Sequence, residues 1–573
     1  MKNILIAIRS IFKKGRHNVM KIVSLGIGLA VGLVLIAKVY FEQSYDDFYP
    51  DRDRVYQVWA KYQQNGGELK DYPQTSGGIA PTMQQQIPEI ETVTRYTSFG
   101  DWTFTMTDTK MKYSGRCIIA DSCFFDILPR PMLIGNAKEV LSTPMYVLVS
   151  SRIAKNIGGD VIGKNFTVDS SPGRTMTIGG VFEEVPENSH SRYDVIVSMA
   201  SAGRFMWEGS PTNMLGNDRY ISYVKLHKGV NPLALEEQVH TFVNSYFPPE
   251  EQQKTGFNIG FSFHELDGLH KELPQVKRMT WILSLLAFAL IFTAVMNYIL
   301  IVISSIVNRS KEVAVHKCYG ASENNIHGMM FGEALVHIVL SLILALLLIL
   351  AFRGTVEELL ATSLDSLLLS NGSLVLLGIC ILVFFVSGFM PGSLYARIPV
   401  ASAFRNYREN KRIWKKALLL VQFVATGFLV TMLVFVARQY TFMVNDRPGY
   451  AYENLAYCGL AGVDSTSRAK ILDEVMRLPG VVAATTVYQL PFEHASGNNI
   501  LLPGETQELF NIADLYWVGN GYLDMMEIPV IQGRSFTENV TNSREVMVDR
   551  RFVEKMKLVA GWTDDVIGKD ICV

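Results

Sequence analysis

Hydrophobic and polar positions in this chain separate on the scale of whole segments. Five windows are almost free of charge: 22–41, 281–307, 331–352, 373–390 and 417–437. Each holds about 18–27 residues, enough for a helix to cross a hydrocarbon core of roughly 30 Å. A spanning segment has to be a helix or part of a closed barrel, because its backbone finds no water there. Soluble core helices seldom stay uncharged over such lengths, so the windows predict five membrane helices. A cleaved signal peptide is the other reading of the first window, but its apolar run is long and no small-x-small site follows. Lys38 lies near its end, where it can snorkel.

The pattern also repeats. A basic stretch (Lys13, Lys14, Arg16, Lys21) runs into the first window and exits into a long polar region. About 400 residues later Arg405, Arg408, Lys411, Arg412, Lys415 and Lys416 run into the fifth window, a long-period repeat. The polar regions echo each other. Val147-Leu-Val-Ser-Ser-Arg-Ile-Ala-Lys-Asn with Asp160-Val-Ile-Gly-Lys-Asn-Phe matches Val546-Met-Val-Asp-Arg-Arg-Phe-Val-Glu-Lys with Asp565-Val-Ile-Gly-Lys-Asp-Ile. Phe125-Asp-Ile-Leu-Pro answers Tyr522-Leu-Asp-Met-Met, and Gln86-Ile-Pro-Glu-Ile answers Arg477-Leu-Pro-Gly-Val. Two anchors each carry a related domain, and the pieces 147–168 and 546–573 are expected to superpose. The six-residue surplus of the second copy is expected in the turn around 559–564.

Charge sets the orientation. The segments before 22, between 307 and 331 and between 390 and 417 are basic, whereas 353–372 has one Arg against Glu357, Glu358 and Asp365. The N-terminus is therefore read as cytoplasmic and both large polar regions as outside. Ile4, Leu5, Ile8, Ile11 and Phe12 among basic residues suit a helix lying on an anionic leaflet. With 573 residues the chain exceeds one domain, and a net charge of -1 gives no sign of a nucleic-acid partner. The six cysteines scatter without metal-like spacing. Cys117 and Cys123 share the first outside domain and either pair or remain free thiols.

Within that domain strands are predicted at 54–59, 175–182, 194–198 and 220–226 from β-branched and aromatic enrichment. Asn231-Pro-Leu starts a helix that puts Leu235, Val239, Phe242 and Tyr246 on one face, and Pro248-Pro249 ends it. The domain is α+β. In the second, 465–478 is a helix whose counterpart opens at Pro81 and closes at Pro88.

Few motifs carry chemistry. Gly158 to Lys164 has P-loop spacing, but Asn165 stands where a magnesium-holding Ser or Thr belongs, so a helix–strand turn is expected. Asn297, His337 and Gln422 are polar positions inside the spans, read as helix–helix hydrogen bonds or as functional groups. Glu183, Glu184, Glu187 and Asp194 read as a solvated acidic face. His190 and His264 have no nucleophile or metal spacing beside them. The stretch Asn308-Arg-Ser-Lys-Glu-Val-Ala-Val-His-Lys-Cys-Tyr-Gly-Ala-Ser places Arg309 with Glu312 and Val313 with Lys317 at helical spacings before Gly320 breaks the helix, and Glu333 then opens the next span. On charge alone it is a positive-inside loop.

This stretch resembles the R-x-K-E-[IV]-x-[IV]-x-K-x-x-G-A signature of the FtsX/MacB-like family of ABC-transporter permeases. Phe41-Glu-Gln-Ser-Tyr-Asp-Asp-Phe with Asp53-Arg-Val-Tyr-Gln-Val resembles the exit of that family's first helix. Val181-Phe-Glu-Glu-Val-Pro-Glu-Asn-Ser-His resembles its external segment, and Val421-Gln-Phe the start of its duplicated half. The resemblance implies an α-helical membrane protein with about five transmembrane helices and two α+β periplasmic domains of MacB-like type, in the inner membrane. It implies no catalytic, cofactor or metal site in this chain, with ATP bound by a separate ATPase subunit. Arg309, Lys311, Glu312, Val313, Val315, Lys317, Gly320 and Ala321 would form the coupling helix, its basic residues steering and Val313 and Val315 docking.

The resulting map has a cytoplasmic amphipathic segment at 1–21, outside domains at 42–277 and 438–573, a coupling segment at 308–330, an outside loop at 353–372 and a cytoplasmic linker at 391–416. Duplicated members continue past the second outside domain, so that domain is expected to be incomplete at Val573. The expected partners are the ATPase, a second permease as homo- or heterodimer, membrane lipid, and a periplasmic adaptor or outer-membrane protein. The first and fourth spans would carry motion outward, for export, efflux or lipoprotein and peptide handling. A membrane-anchored regulator of a wall hydrolase is the alternative output. A sensor would need a cytoplasmic signalling domain, and a hydrolase a nucleophile–base pair, and the chain shows neither. The chain alone is expected to hydrolyse no ATP, and Lys164→Ala to leave turnover of an assembled complex unchanged; phosphate release from both checks this.

Overall fold

The computed structural model describes residues 17–573 apart from 65–67, 170, 370–371, 401–412, 446–448, 461–462, 492–495, 506–508, 537–544 and 564. The readings of 1–16 as amphipathic and of Arg405, Arg408, Lys411 and Arg412 as a basic linker lie outside the described residues. The chain opens with α1 (Asn18–Gln43) and enters a sheet domain carrying α2 (Ile79–Gln86), α3 (Phe124–Ile127), α4 (Ser151–Ile157) and α5 (Glu236–Tyr246). It leaves through α6 (Pro274–Ser304), followed by α7 (Ile306–Cys318), α8 (Glu323–Ala351), α9 (Arg353–Leu360), α10 (Leu364–Leu368) and α11 (Ser373–Ala396). The remainder carries α12 (Ile413–Asn445), α13 (Ser465–Met476), α14 (Tyr522–Met525) and α15 (Arg550–Ala560).

The sheet domain is α+β. Its strands are β1 (Val55–Gln64), β2 (Lys70–Tyr72), β3 (Ile90–Met106), β4 (Lys112–Ala120), β5 (Met132–Ile134), β6 (Tyr146–Ser150), β7 (Asn165–Val168), β8 (Ser171–Phe182), β9 (Val195–Ser198), β10 (Ile221–Leu226) and β11 (Phe257–Glu265). They join in the order β11-β1-β10-β3-β4-β9-β6-β8-β5, with β2 on β1 and β7 bridging β3 and β8. β1, β8, β9 and β10 are the strands expected from sequence. β4 with β9 and β6 with β8 run parallel. Strands buried on both faces read as continuous apolar runs, which is why Val147-Leu-Val lacks the alternation that announces a strand. Val58, Val224 and Val239 share one core with Phe242 and Met83. On the other face Tyr96, Tyr223 and Tyr49 pack with Phe124, and Val147, Val149 and Val195 pack with Ile153 of α4.

Gly158, Gly159 and Gly163 all have positive φ in the turn between α4 and β7, and Lys164 donates to the Gly158 carbonyl at 3.3 Å. The loop closes on itself as a helix–strand turn. Cys117 and Cys123 are both free thiols, Cys117 fully buried.

α1, α6, α8, α11 and α12 are long and apolar enough to cross a membrane. They exceed the predicted windows. The 281–307 window breaks at Ser305, between α6 and α7. α8 starts at Glu323 rather than 331, so Glu333 is a buried residue inside a helix and does not open the span. The 353–372 loop contains α9 and α10. Lys21, expected on a surface segment, is buried in α1.

Glycine lets these helices approach closely. A Cβ at Gly28 would overlap that of Ala294, one at Gly32 would overlap Ile291, and one at Gly26 would lie 2.9 Å from Leu344. Between α8 and α11, Gly392 faces His327 in the same way. His337 of α8 meets the Tyr298 hydroxyl of α6 at 3.2 Å, the helix–helix hydrogen bond expected of a neutral polar residue. Asn297 is half-buried, and the buried Gln422 amide nitrogen has no hydrogen bond among the described residues.

The region after α12 carries helices at the places the repeat pattern marks but does not repeat the sheet of the first domain. α13, α14 and α15 answer α2, α3 and α4. Ser150 and Asp549 both cap their helices by accepting from the backbone N–H three residues on. Gly163 and Gly568 turn with φ of 75° and 77°. α15 has 11 residues against 7 in α4, so much of the surplus lengthens the helix rather than the turn. Residues 546–548 form no strand and are exposed, and Cys572 makes an isolated bridge to Leu501. In the sheet domain β6 is held by β8 and β9. Here the described strands are β12 (Ser496–Ile500) and β13 (Phe510–Leu515), paired only with each other.

Gly28→Leu is expected to overpack the α1–α6 contact at a cost of about 1–3 kcal/mol. The Tm of the detergent-purified chain should fall, whereas Gly378→Leu, where a Cβ meets open space, should not lower it.

Candidate functional site

Two sites at opposite ends of the helices collect the sequence-predicted residues. The first is where α1 leaves its neighbours and enters the sheet domain. Lys38 does not snorkel there. It is 7% exposed, pairs with Glu42 at 2.6 Å and donates to Thr362 Oγ1 at 2.8 Å. The other Glu42 oxygen lies 2.6 Å from His270 Nε2, and the His270 ring stacks on Tyr45 at 3.4 Å. The entry and exit of the sheet domain are thus pinned together.

Beyond α1 the chain turns through Asp46, whose φ of 61° is left-handed, a region Asp tolerates better than most residues. Its side chain has no exposure, and a buried carboxyl group is costly unless donors answer it. Ser189 Oγ donates to Oδ1 at 3.1 Å, and the His190 N–H to the same oxygen at 3.3 Å. His190 Nδ1 lies 2.8 Å from Oδ2, and its Nε2 contacts the Tyr223 hydroxyl. Asn188 Nδ2 donates to the Ser44 carbonyl at 2.6 Å, and the Asp46 N–H to the Asn188 carbonyl at 2.9 Å.

Burial pushes the Tyr96 hydroxyl up to about 12 and that of Tyr223 well above its ordinary range. Tyr223 therefore keeps its proton beside Nε2. Ser, His and Asp meet here, yet Ser189 is buried and bonds to Asp46, so no nucleophile–base pair forms.

The acidic cluster is engaged rather than free. Glu183 pairs with Arg130 at 3.0 Å and Asp194 with Arg152 at 2.6 Å. Glu187 accepts the Ser363 N–H at 3.0 Å, which ties α10 to the sheet domain. His264 stacks on Trp59, and burial lowers its pKa. No group of three or more metal-binding side chains occurs among the described residues. Sequence reading quoted Asp46 and His190 in separate motifs without joining them, and gave no signal for Thr362 or Ser363.

The second site is α7, which carries Arg309, Lys311, Glu312, Val313, Val315 and Lys317. Residues two apart on a helix do not share a face. Val313 is accordingly 1% exposed, within the helix core that also holds Tyr395 and Ile398, and Val315 is 43% exposed. The paired docking face expected of them does not exist. The open face consists of Lys311, Val315 and Tyr319, four residues apart, and Tyr319 is 89% exposed. Gly320 ends the helix at φ 86° in a Schellman motif. The Ala321 N–H bonds the His316 carbonyl, and the Gly320 N–H the Lys317 carbonyl. Lys317 turns inward: its Nζ donates to the carbonyls of Ala396 and Ile398 at 2.7 and 2.8 Å.

Comparison with known proteins agrees with this arrangement. Residues 20–242 match the model of the MacB-like periplasmic core domain, and 284–400 that of the FtsX-like permease C-terminal region. No curated protein matches the chain. Among solved structures, a domain of a Porphyromonas gingivalis protein described as a permease is 32% identical, covering 38% of this chain and 91% of its own, with a TM-score of 0.35. The periplasmic region of MacB from Actinobacillus actinomycetemcomitans is 15% identical over 38% of this chain and 92% of its own, with a TM-score of 0.26. The two family models carry the assignment, one matching the sheet domain with its entry helix and the other the helices around α7. The chain belongs to the FtsX/MacB-like family of ABC-transporter permeases.

Proposed function

We propose that this chain is the inner-membrane permease subunit of an ABC transporter, coupling ATP hydrolysis by a separate cytoplasmic ATPase to motion of its periplasmic domains. One observation carries the reading. α6 is an unbroken helix of 31 residues that begins just after β11 and ends at α7. At 1.5 Å per residue it is about 46 Å long, more than the roughly 30 Å of a hydrocarbon core. If α6 spans the bilayer, α7 and the sheet domain stand on opposite sides, and the basic residues of α7 itself, Arg309, Lys311 and Lys317, put it inside.

On this reading the open face of α7 meets the ATPase. Lys311 steers and Val315 with Tyr319 supplies apolar contact. Val313 and Ala314 pass the displacement to the helix core, and α1 and α11 carry it outward. The junction of Asp46, His190 and Glu187 then hands it to the sheet domain. ATP belongs to the partner subunit, and this chain performs no catalysis. Substrates in keeping with the family resemblance are exported or effluxed compounds, lipoproteins or peptides. A second permease copy completes the pair that an ATPase dimer needs, lipid surrounds the exposed apolar helices such as α12, and a periplasmic adaptor is the outer partner.

Co-purification of an ATPase with the chain from detergent extract is the first test. Lys311→Glu with Val315→Asp should abolish that co-purification while the chain still inserts. Val313→Asp should instead lower the yield of folded chain, because it buries a charge in the core. At the other end, Asn188→Ala removes the side-chain amide bonds to Ser44 at the α1 exit and should cost about 1–3 kcal/mol. ATP turnover should persist in that variant, while the ATP-dependent change in proteolysis of 42–277 is lost.

A further inference from the structure

The contact of Lys317 is not explained by docking, although it lies in the segment that docks. Its ammonium leaves the open face and spends two of its three donors on the Ala396 and Ile398 carbonyls. Ala396 is the last residue of α11. The last carbonyls of a helix have no intrahelical partner and carry the negative end of its dipole, so a cation there is doubly favoured. Two other contacts tie α11 to the end of α6 and to the elbow that leads into α7. Ser305, at the elbow between α6 and α7, meets the Tyr395 hydroxyl at 3.2 Å, and Tyr395 donates to the Val302 carbonyl at 3.1 Å. Val313, Ala314, Tyr395 and Ile398 share one core.

We propose that Lys317 is a positioning residue that clamps the coupling helix to the inner end of the fourth span, so that α7 and α11 move as one body. The proposal rests on the function proposed above and deepens it. Displacement of α7 reaches the fourth span through this cation. At the far end of α11, Gly372 lies against the ring of Tyr40 on α1, so the clamped helix also touches the outer junction. One lysine would therefore decide whether a push on α7 bends only its own loop or moves a whole span.

Hydrogen exchange with mass spectrometry tests this in two settings. In the purified chain alone, Lys317→Met keeps the apolar stem and removes the cation, and amides of 392–398 should exchange at least about tenfold faster, as local opening becomes easier. Lys317→Arg should restore slow exchange. Unchanged exchange in Lys317→Met overturns the clamp whether or not any ATPase binds. In the complex with its ATPase, ATP should alter exchange at 42–49 and 186–192. Lys317→Met should cut that response about fivefold, with ATPase affinity held within about twofold, and Lys317→Arg should restore it. A large loss of ATPase affinity with slow exchange at 392–398 would make Lys317 a docking contact and overturn the proposal. Failure of the wild-type chain to bind an ATPase would sink the proposed function while the first measurement still decides the clamp.

Discussion

Asp46 is a carboxyl group with no access to water, and much of the outer architecture is organised around answering it. Three donors from 189–190 converge on it, and His190 is in turn held by Tyr223. Ser189 and His190 follow Glu187 and Asn188, which link the sheet domain to α10 and to the end of α1. Removing one donor strands a buried polar group, so the network favours a single relative placement of helix and sheet. The proposed function asks the same of this junction: stiffness at the point where helix and sheet meet.

The helices achieve the same stiffness by different means. Between apolar helices in lipid there is little hydrophobic drive, and close approach has to supply dispersion contact instead. Gly28 and Gly32 remove side chains where α6 crosses α1, and Gly388 and Gly392 do so between α8 and α11. The few buried polar groups then fix register. Tyr298 meets His337, and Ser341 donates to the Ile22 carbonyl at 3.1 Å. Among the described residues α12 lies largely open.

α7 shows how one short segment divides its labour. The periodicity of a helix sends Val313 inward and Val315 outward, so one valine of the motif is packed in the helix core and the other lies open. Lys317 likewise serves the end of α11 rather than the open face. Gly320 is needed for its left-handed backbone alone, because a Cβ there would meet nothing. The signature therefore mixes residues for folding with residues for contact.

Five long apolar runs, the basic loops between them, the capped helix at Asn231 and the glycine turn at 158–163 were all legible in the sequence, because each depends on residues close together in the chain. A repeated pattern was legible too, but only part of it has a structural counterpart: α13, α14 and α15 stand where the second copy places helices, while 546–548 form no strand. The missed strands β3, β4, β6 and β11 owe their state to neighbours far away, and β6, enclosed on both faces, loses the alternation that would mark it. The α7 segment could be recognised from its own residues, but the duties of Val313, Val315 and Lys317 could not, since these are set by what packs beside each one. The pairing of Asp46 with His190, of Lys38 with Thr362, of Glu42 with His270, and of Glu187 with Ser363 arose only in three dimensions. Local sequence determines where backbone turns and which segments avoid water; which buried charge meets which donor is decided by chain segments separated by more than a hundred residues, and only the packed structure brings those together.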